Sequence, residues 1–426
     1  MLKKWLPLAL GFCISSVCAL AQPAMDTLRL SLPAAEKMFL DSNFQLLAQR
    51  YNVDATQALV IQARLWPNPN FQIGHTLYSG ALHQWFPTGA NDETTVGLSQ
   101  VILLAGKRNK QIKLAQANVR LSQYQFFVLM RTLKYTLRTD FFQIYYLRKS
   151  ALVYDTEIKA LQQISTAFAS QEGKGYISEK EVVRIKAQLY SFISEYNDLT
   201  NQINDTESEL RLILQTKPTH FIDPDVDSNS ISGLDPSKYA LTTLIDSAYH
   251  NRTDLQIAHA NTTINELQYK YQKALAVPDL SLNLGYDEAG SFLTSYYGIG
   301  AGIDLPFFNR NQGNIKQARI AIDQSNVQLQ SQQSQVESDV ATGYKSALRL
   351  EQLYSSFDPK FKDDFTHLIQ EVYTNYQKRN LSMLEFLDFY DSYKTNTLQL
   401  NNLQLNRVIS LEQLNYVTGT PFFNQQ

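Results

Sequence analysis

Leu280-Ser-Leu-Asn-Leu-Gly-Tyr286-Asp287 and Tyr297-Gly-Ile-Gly-Ala-Gly-Ile303-Asp304 alternate without a break between apolar and small or polar residues. A period of two puts Leu280, Leu282, Leu284 and Ile299 on one face of a pair of strands, and Gly298, Gly300 and Gly302 on the other. An apolar face opposite a small, polar one suits a barrel strand with lipid outside and water inside, which makes the first set a lipid face and the second a lumen face. A soluble antiparallel sheet with one wet face is the simpler alternative. The Gly298-Ile-Gly-Ala-Gly302 run imitates part of a phosphate-binding loop but lacks its spacing, and glycine at every second place fits a crowded barrel interior better.

A weaker copy of this pattern lies upstream. After Pro67-Asn-Pro69, Phe71, Ile73, His75 and Leu77 alternate with Gln72, Gly74, Thr76 and Tyr78; Thr94, Val96 and Leu98 then alternate with Thr95, Gly97 and Ser99. Tyr78, Trp85, Phe86, Phe292 and Tyr296 stand near the turns, where an aromatic girdle would sit. Four strands cannot close a barrel, and an open edge is not tolerated in lipid, so a membrane reading requires several chains to share one barrel.

The chain is two copies of one unit. Leu46–Pro69 resembles Leu255–Pro278, and Gly175-Tyr-Ile177-Ser178-Glu-Lys-Glu181 aligns with Arg379-Asn-Leu381-Ser382-Met-Leu-Glu385. Each unit reads helix, strand, strand, long helix, long helix. The first spans 22–216, with a hairpin at about 70–101 and long helices at about 107–172 and 178–215. The second spans 237–426, with a hairpin at about 279–305 and long helices at about 314–377 and 382–418. Segment 217–236, rich in Pro and Asp, reads as a linker.

The long helices carry heptads. Val182, Ile185, Leu189, Phe192, Tyr196, Leu199, Ile203, Thr206, Leu210 and Ile213 recur at steps of three and four. The second copy repeats them with Phe386, Phe389, Tyr393, Leu400, Leu403, Leu414 and Val417, interrupted by Asn396, Arg407 and Ser410. In the preceding helix Leu114, Leu121, Val128, Tyr135 and Phe142 stand seven apart. A 3.5-residue period winds helices into left-handed coiled coils.

Composition narrows the classes. There are 38 Lys and Arg against 40 Asp and Glu in 426 residues, a formal charge of −2, so no broad basic face for nucleic acid is expected. Six His and two Cys are too few and scattered for a metal cage, and no cofactor is expected. His250 and His259 do not share adjacent turns, and no nucleophile, base and orienter assemble into an enzyme site. Lys3 and Lys4, then Trp5 to Ala21 ending Ala19-Leu-Ala21, form a secretory signal over 1–21. Both cysteines, Cys13 and Cys18, fall inside it. Phe12 and Val17 precede them where a lipid-anchored chain has a small residue, so no lipid anchor is expected.

An exported, duplicated chain with two hairpins and two pairs of very long helices resembles the TolC family of outer-membrane efflux proteins. The motifs that carry the resemblance are Ala63-Arg-Leu-Trp-Pro67-Asn-Pro69 before the first hairpin, Leu305-Pro-Phe-Phe-Asn-Arg310 after the second, and the paired turns Ile177-Ser178 and Leu381-Ser382. The resemblance implies an α+β membrane protein: a homotrimer whose twelve strands form a barrel in the outer-membrane lipid of a Gram-negative bacterium, continued by twelve helices as a coiled-coil tunnel in the periplasm. It implies a passive exit duct that docks to a periplasmic adaptor (membrane fusion) protein and an inner-membrane pump of the resistance-nodulation-division type. It casts 217–236 as the equatorial segment between two efflux repeats.

Site residues follow from the same resemblance. Gly175, Ile177, Ser178, Leu381 and Ser382 match the adaptor-docking tips. Tyr376, Glu385 and Asp388 match the periplasmic aperture, where six carboxylates from three chains would crowd one axis and raise each other's pKa. Arg379 stands where the family has glycine, and its pairing with Glu181 would replace the usual closing contacts. The Arg379–Asp388 stretch is most like the branch serving heavy-metal cation pumps, with metal ions and cationic drugs both open as cargo. The competing reading is an exported coiled-coil structural or adhesive protein with a small soluble β head.

Overall fold

The structure, a computed structural model, describes residues 26–80, 83–87, 93–227, 231, 233–289, 293–358, 361–378 and 380–423. The signal segment 1–21, Phe292 and Arg379 lie outside the described residues. The first half runs β1 (Asp26–Ser31), α1 (Leu32–Ser42), α2 (Phe44–Ala63), β2 (Asn70–His75), β3 (Tyr78–Ser79), β4 (Gln84–Trp85), β5 (Thr94–Ile102), α3 (Lys107–Glu172), α4 (Glu179–Leu214) and β6 (His220–Asp225). The second runs α5 (Leu241–Asn251), α6 (Thr253–Leu275), β7 (Leu280–Ala289), β8 (Thr294–Ile303), α7 (Gln312–Ser355), α8 (Phe361–Gln377) and α9 (Met383–Thr418).

The two hairpins form one antiparallel sheet in the order β2-β5-β7-β8. Its register aligns the alternation across all four strands. One face carries the rows Phe71-Leu98-Leu284-Ile299 and Ile73-Val96-Tyr286-Tyr297; the other carries Gln72-Gly97-Gly285-Gly298 and Asn70-Ser99-Asn283-Gly300. Two residues break the rule at the helix end of β5. Gln100 stands on the apolar face and turns its amide to the carbonyl of Pro67 at 3.0 Å, while Val101 stands on the other.

At 1.5 Å per residue the 66-residue α3 is about 100 Å long. Packed against its neighbours it defines a rod with three apolar clusters. One gathers Phe39, Leu137, Phe141 and Leu210; one, at the far tip, Leu161, Phe192 and Phe386; one Leu244, Val340, Leu414 and Phe423. The α4 heptad is the packed stripe, with Val182, Ile185, Leu189, Phe192, Leu210 and Ile213 all buried. In α3 the seven-residue series differs: Phe142 is buried, but Leu114, Leu121, Val128 and Tyr135 are half-exposed, and Leu137, Phe141 and Ile144 do the packing instead.

Three sequence expectations are corrected. The helix expected over 314–377 is two helices, because α7 ends at Ser355. There the Ser356 N–H is shared among the carbonyls of Gln352, Leu353 and Tyr354, and Ser356 Oγ donates to Leu353 O at 2.7 Å. Pro359, which has no N–H to donate and disfavours helical backbone before it, follows in the sequence. Segment 217–236 is not simply a linker, since β6 lies in it and pairs in parallel with β1 from Asp26↔His220 to Ser31↔Asp225. Arg407 does not merely interrupt its heptad. It is buried and donates from Nε to Glu351 at 2.5 Å and to the carbonyls of Ile231 and Leu234.

The short helical pairs break at buried polar residues. Between α1 and α2, Asn43 accepts from Leu46 N at 3.0 Å and donates to Ile213 O at 2.9 Å. Between α5 and α6, Arg252 reaches Asp254 and Asp339. At the first break the Asn43 side chain thereby caps the start of α2.

Candidate functional site

Two regions of the chain have exposed features that its own core does not explain. The first is the sheet. Neither face packs on a core: every residue of β2 is exposed, Ile299 is 84 % exposed, and Ile73 and Tyr297 also stand in solvent. Of the expected lipid face, Leu282 and Leu284 are exposed and Leu280 is half-buried. Gly298, Gly300 and Gly302 share the opposite face with Asn283 and Ser281. A Cβ at Gly302 would stand 2.8 Å from Ser281 Oγ, and one at Gly298 would stand 2.9 Å from the Tyr296 ring. At Gly300 it would have ordinary room.

β7 and β8 have ten residues each, about 33 Å when extended. Among the described residues β2 and β8 each have one strand neighbour, which leaves two edges of the sheet open. At the end away from the long helices, β3 and β4 form a small hairpin in which the Tyr78 and Trp85 rings meet at 5.2 Å. Phe86 lies over His75 at 6.3 Å, with Trp85 and Phe86 exposed.

The second region is the far tip, where α3 turns into α4 and α8 into α9. Gly175 has φ +75° with open space around it, a left-handed turn in which a side chain would be strained. Ser178 and Ser382 are the N-caps of α4 and α9. Glu181 accepts from Ser178 N at 3.1 Å and from its Oγ at 2.9 Å. Glu385 accepts from Ser382 N at 2.9 Å and from Oγ at 2.7 Å, while Ser382 Oγ accepts from Glu385 N at 3.3 Å. These are capping boxes, and the spacing Ser-x-x-Glu in both copies is their sequence signal. Within one chain, hydrogen bonds from Ser382 hold the Glu385 carboxyl below the usual carboxylate range.

Within one chain Tyr376 belongs to the buried apolar cluster of the tip. Its ring stacks on Phe386 at 4.2 Å and approaches Phe168 at 5.8 Å, and its buried hydroxyl has no hydrogen-bond partner. Burial, and then the charge of Glu181, push the phenol up. Asp388 is exposed one turn beyond Glu385, while Ile177 and Leu381 are half-buried beneath the turns. The tip thus brings together Glu181 and Tyr376, and it places Glu385 and Asp388 on the same exposed side of α9.

Sequence reading missed the charged groups packed within the helical rod. Lys394 donates to Glu195 at 2.9 Å and lies 4.2 Å over the Phe192 ring. Tyr154 donates to the same Glu195 oxygen at 2.9 Å. Burial would raise Glu195, but these two donors outweigh it and hold the carboxyl below its ordinary value. On α3, burial alone pushes Glu157 up to about 8, and one of its oxygens has no partner. Burial, helped by Glu209, pushes Asp140 to about 7. No motif marks these positions; they become special only through what packs over them.

A sheet exposed on both faces, joined end-on to a helical rod near 100 Å long, defines the class of outer-membrane channel subunits. The chain belongs to the outer membrane efflux protein family, whose sequence profile matches residues 37–215 and 244–420. The cobalt-zinc-cadmium resistance protein CzcC of Cupriavidus metallidurans is 22 % identical over 289 residues, 68 % of this chain and 66 % of that protein. A CusC crystal structure superposes with a TM-score of 0.74 at 19 % identity, covering 91 % of this chain and 92 % of that one. The Campylobacter jejuni CmeC outer membrane channel gives 0.74 at 13 % identity, covering 92 % and 86 %. The likeness to both is one of fold.

Proposed function

We propose that three copies of this chain close their sheets into a twelve-stranded barrel in the outer membrane, continued by a twelve-helix periplasmic tunnel. The assembly is the passive exit duct of an efflux system. The observation that carries this reading is the sheet: apolar rows on one face, glycine and polar rows on the other, no core against either, and two open edges. A soluble head would bury its apolar face, which weighs against the structural-rod alternative. Lipid on the apolar face and a neighbouring sheet at each edge satisfy both the side chains and the unpaired backbone.

The tips Gly175, Ile177, Ser178, Leu381 and Ser382 are proposed to dock a periplasmic adaptor, which links the duct to an inner-membrane pump. Divalent metal cations are the proposed cargo, supported by the name of the curated relative and by the exposed acids of α9. Asp388 is the better reporter of charge at the aperture, because Glu385 and Glu181 also cap helices.

Planar-bilayer recording tests the duct. The purified protein should form trimeric, cation-preferring channels that divalent ions slow. Asp388→Asn should weaken the cation preference with the fold intact, whereas Glu385→Gln should also loosen the start of α9. Absence of channels, or a stable monomer in mild detergent, would overturn the duct. An unchanged permeability ratio in Asp388→Asn would remove that residue from the aperture.

A further inference from the structure

The helix ends nearest the sheet are charged unlike the rest of the chain. Segments 55–69, 103–115, 267–279 and 304–320 lead into or out of β2, β5, β7 and β8, all at the same end of the sheet. Together they hold ten Lys and Arg against two Asp, in a chain of net charge −2. Three of the ten are engaged: Lys107 with Asp279 at 2.6 Å, Arg108 with the carbonyl of Arg64, and Lys110 with that of Ala105. The other seven, Arg64, Lys113, Lys270, Lys273, Arg310, Lys316 and Arg319, are exposed, and their side chains have no hydrogen bond or ion pair among the described residues; Lys273 lies 5.5 Å over the Tyr269 ring. Along the rod, by contrast, Arg138, Arg148, Arg252, Lys394 and Arg407 are each held by carboxylates.

Large apolar side chains stand at the same level. Phe308 is 95 % exposed, and Phe307 and Trp66 also stand in solvent, with Arg108 4.6 Å over the Trp66 ring. Unpaired cations among exposed aromatic rings suit the boundary between acyl chains and anionic head groups, where stems and rings lie in the apolar zone and charges reach phosphate. The band continues directly from the apolar face of the sheet.

We propose that this band is a collar that binds the phosphate groups of anionic phospholipid in the membrane leaflet facing the helices. The proposal rests on the membrane reading of the sheet. Its ligand is a lipid phosphate bearing net negative charge, favoured over a zwitterionic head group by charge complementarity alone. Each Lys or Arg near an anionic surface strengthens attachment about fivefold.

The test uses the full-length protein reconstituted in nanodiscs of phosphatidylcholine with or without one-third phosphatidylglycerol, with retained lipids counted by native mass spectrometry. The parent should insert in both and retain phosphatidylglycerol in preference to phosphatidylcholine, and the preference should fade as salt rises. The variant Lys270→Gln/Lys273→Gln/Lys316→Gln/Arg319→Gln should insert equally well and lose at least tenfold of that preference. Neutralising four tip cations, Lys174→Gln/Lys180→Gln/Arg184→Gln/Lys186→Gln, should leave it unchanged. Insertion without any head-group preference, or equal loss in both variants, overturns the collar and leaves the duct standing. Failure to insert in either membrane overturns the duct and the collar together.

Discussion

Glu157→Gln isolates a single buried proton. Glu157 is 2 % exposed, and its Oε2 lacks a partner. Its carboxyl, ordinarily near 4.5, is pushed up to about 8 by burial. In the unfolded chain it ionises near pH 4.5, whereas in the fold it keeps its proton until about pH 8. The native state therefore binds the extra proton in this window, and stability that is full below the lower value is lost as pH rises through the upper one. At about 1.36 kcal/mol per pKa unit, the loss is about 3 kcal/mol at pH 7 and about 5 kcal/mol well above pH 8. Glutamine keeps the shape and does not titrate. The variant should match the parent near pH 4, exceed it by about 3 kcal/mol at pH 7, and gain further at pH 9. Denaturant midpoints followed by far-ultraviolet circular dichroism across this range would measure it. Asp140 shifts in the same direction but is common to both proteins, so the difference reports Glu157. A difference independent of pH, or a variant less stable than the parent at pH 9, would show that Glu157 is ionised in the fold and refute the reasoning.

Two further outcomes follow from close contacts. Gly419→Ala should destabilise by about 1–3 kcal/mol, seen as a lower melting temperature. Gly419 has φ +67°, and a Cβ there would stand 2.9 Å from the backbone of Asn251. Arg138→Met should cost about 3–5 kcal/mol, because Glu412 is left buried without the guanidinium that donates to both its oxygens at 2.6 Å. Adding Glu412→Gln should recover part of that loss in a double-mutant cycle, and full additivity of the two changes would show that the pair is not coupled.

Much of the architecture is written in periodicity. The strict alternation of Leu280–Tyr286 and Tyr297–Ile303 predicts the face each residue occupies in the sheet, and the α4 heptads predict its buried stripe. Where periodicity failed, a local competitor decided. Pro359 and the serine pair Ser355-Ser356 mark the break in the second-unit helix that heptad reasoning ran through. Pro224 and the aspartates of 217–236 suggested a loop, yet a two-stranded sheet tolerates proline at its edge. The tip was legible as a motif. Ser178-x-x-Glu181 and Ser382-x-x-Glu385 stand out in the sequence, and in the fold their glutamates close helix ends. Sequence alone does not show that Phe386 and Phe168 pack against the Tyr376 ring.

The parallel pairing of β1 with β6 sets the order in which the molecule can be completed. Arg29 and Asp225, joined across it at 3.0 Å, are 196 positions apart. On a chain made from its N-terminus β1 appears first, and it must wait while the first hairpin, α3 and α4 emerge before its partner strand arrives. β1 is thus fastened only once about half of the 426 residues have emerged, and until then its pairing edge has no partner strand.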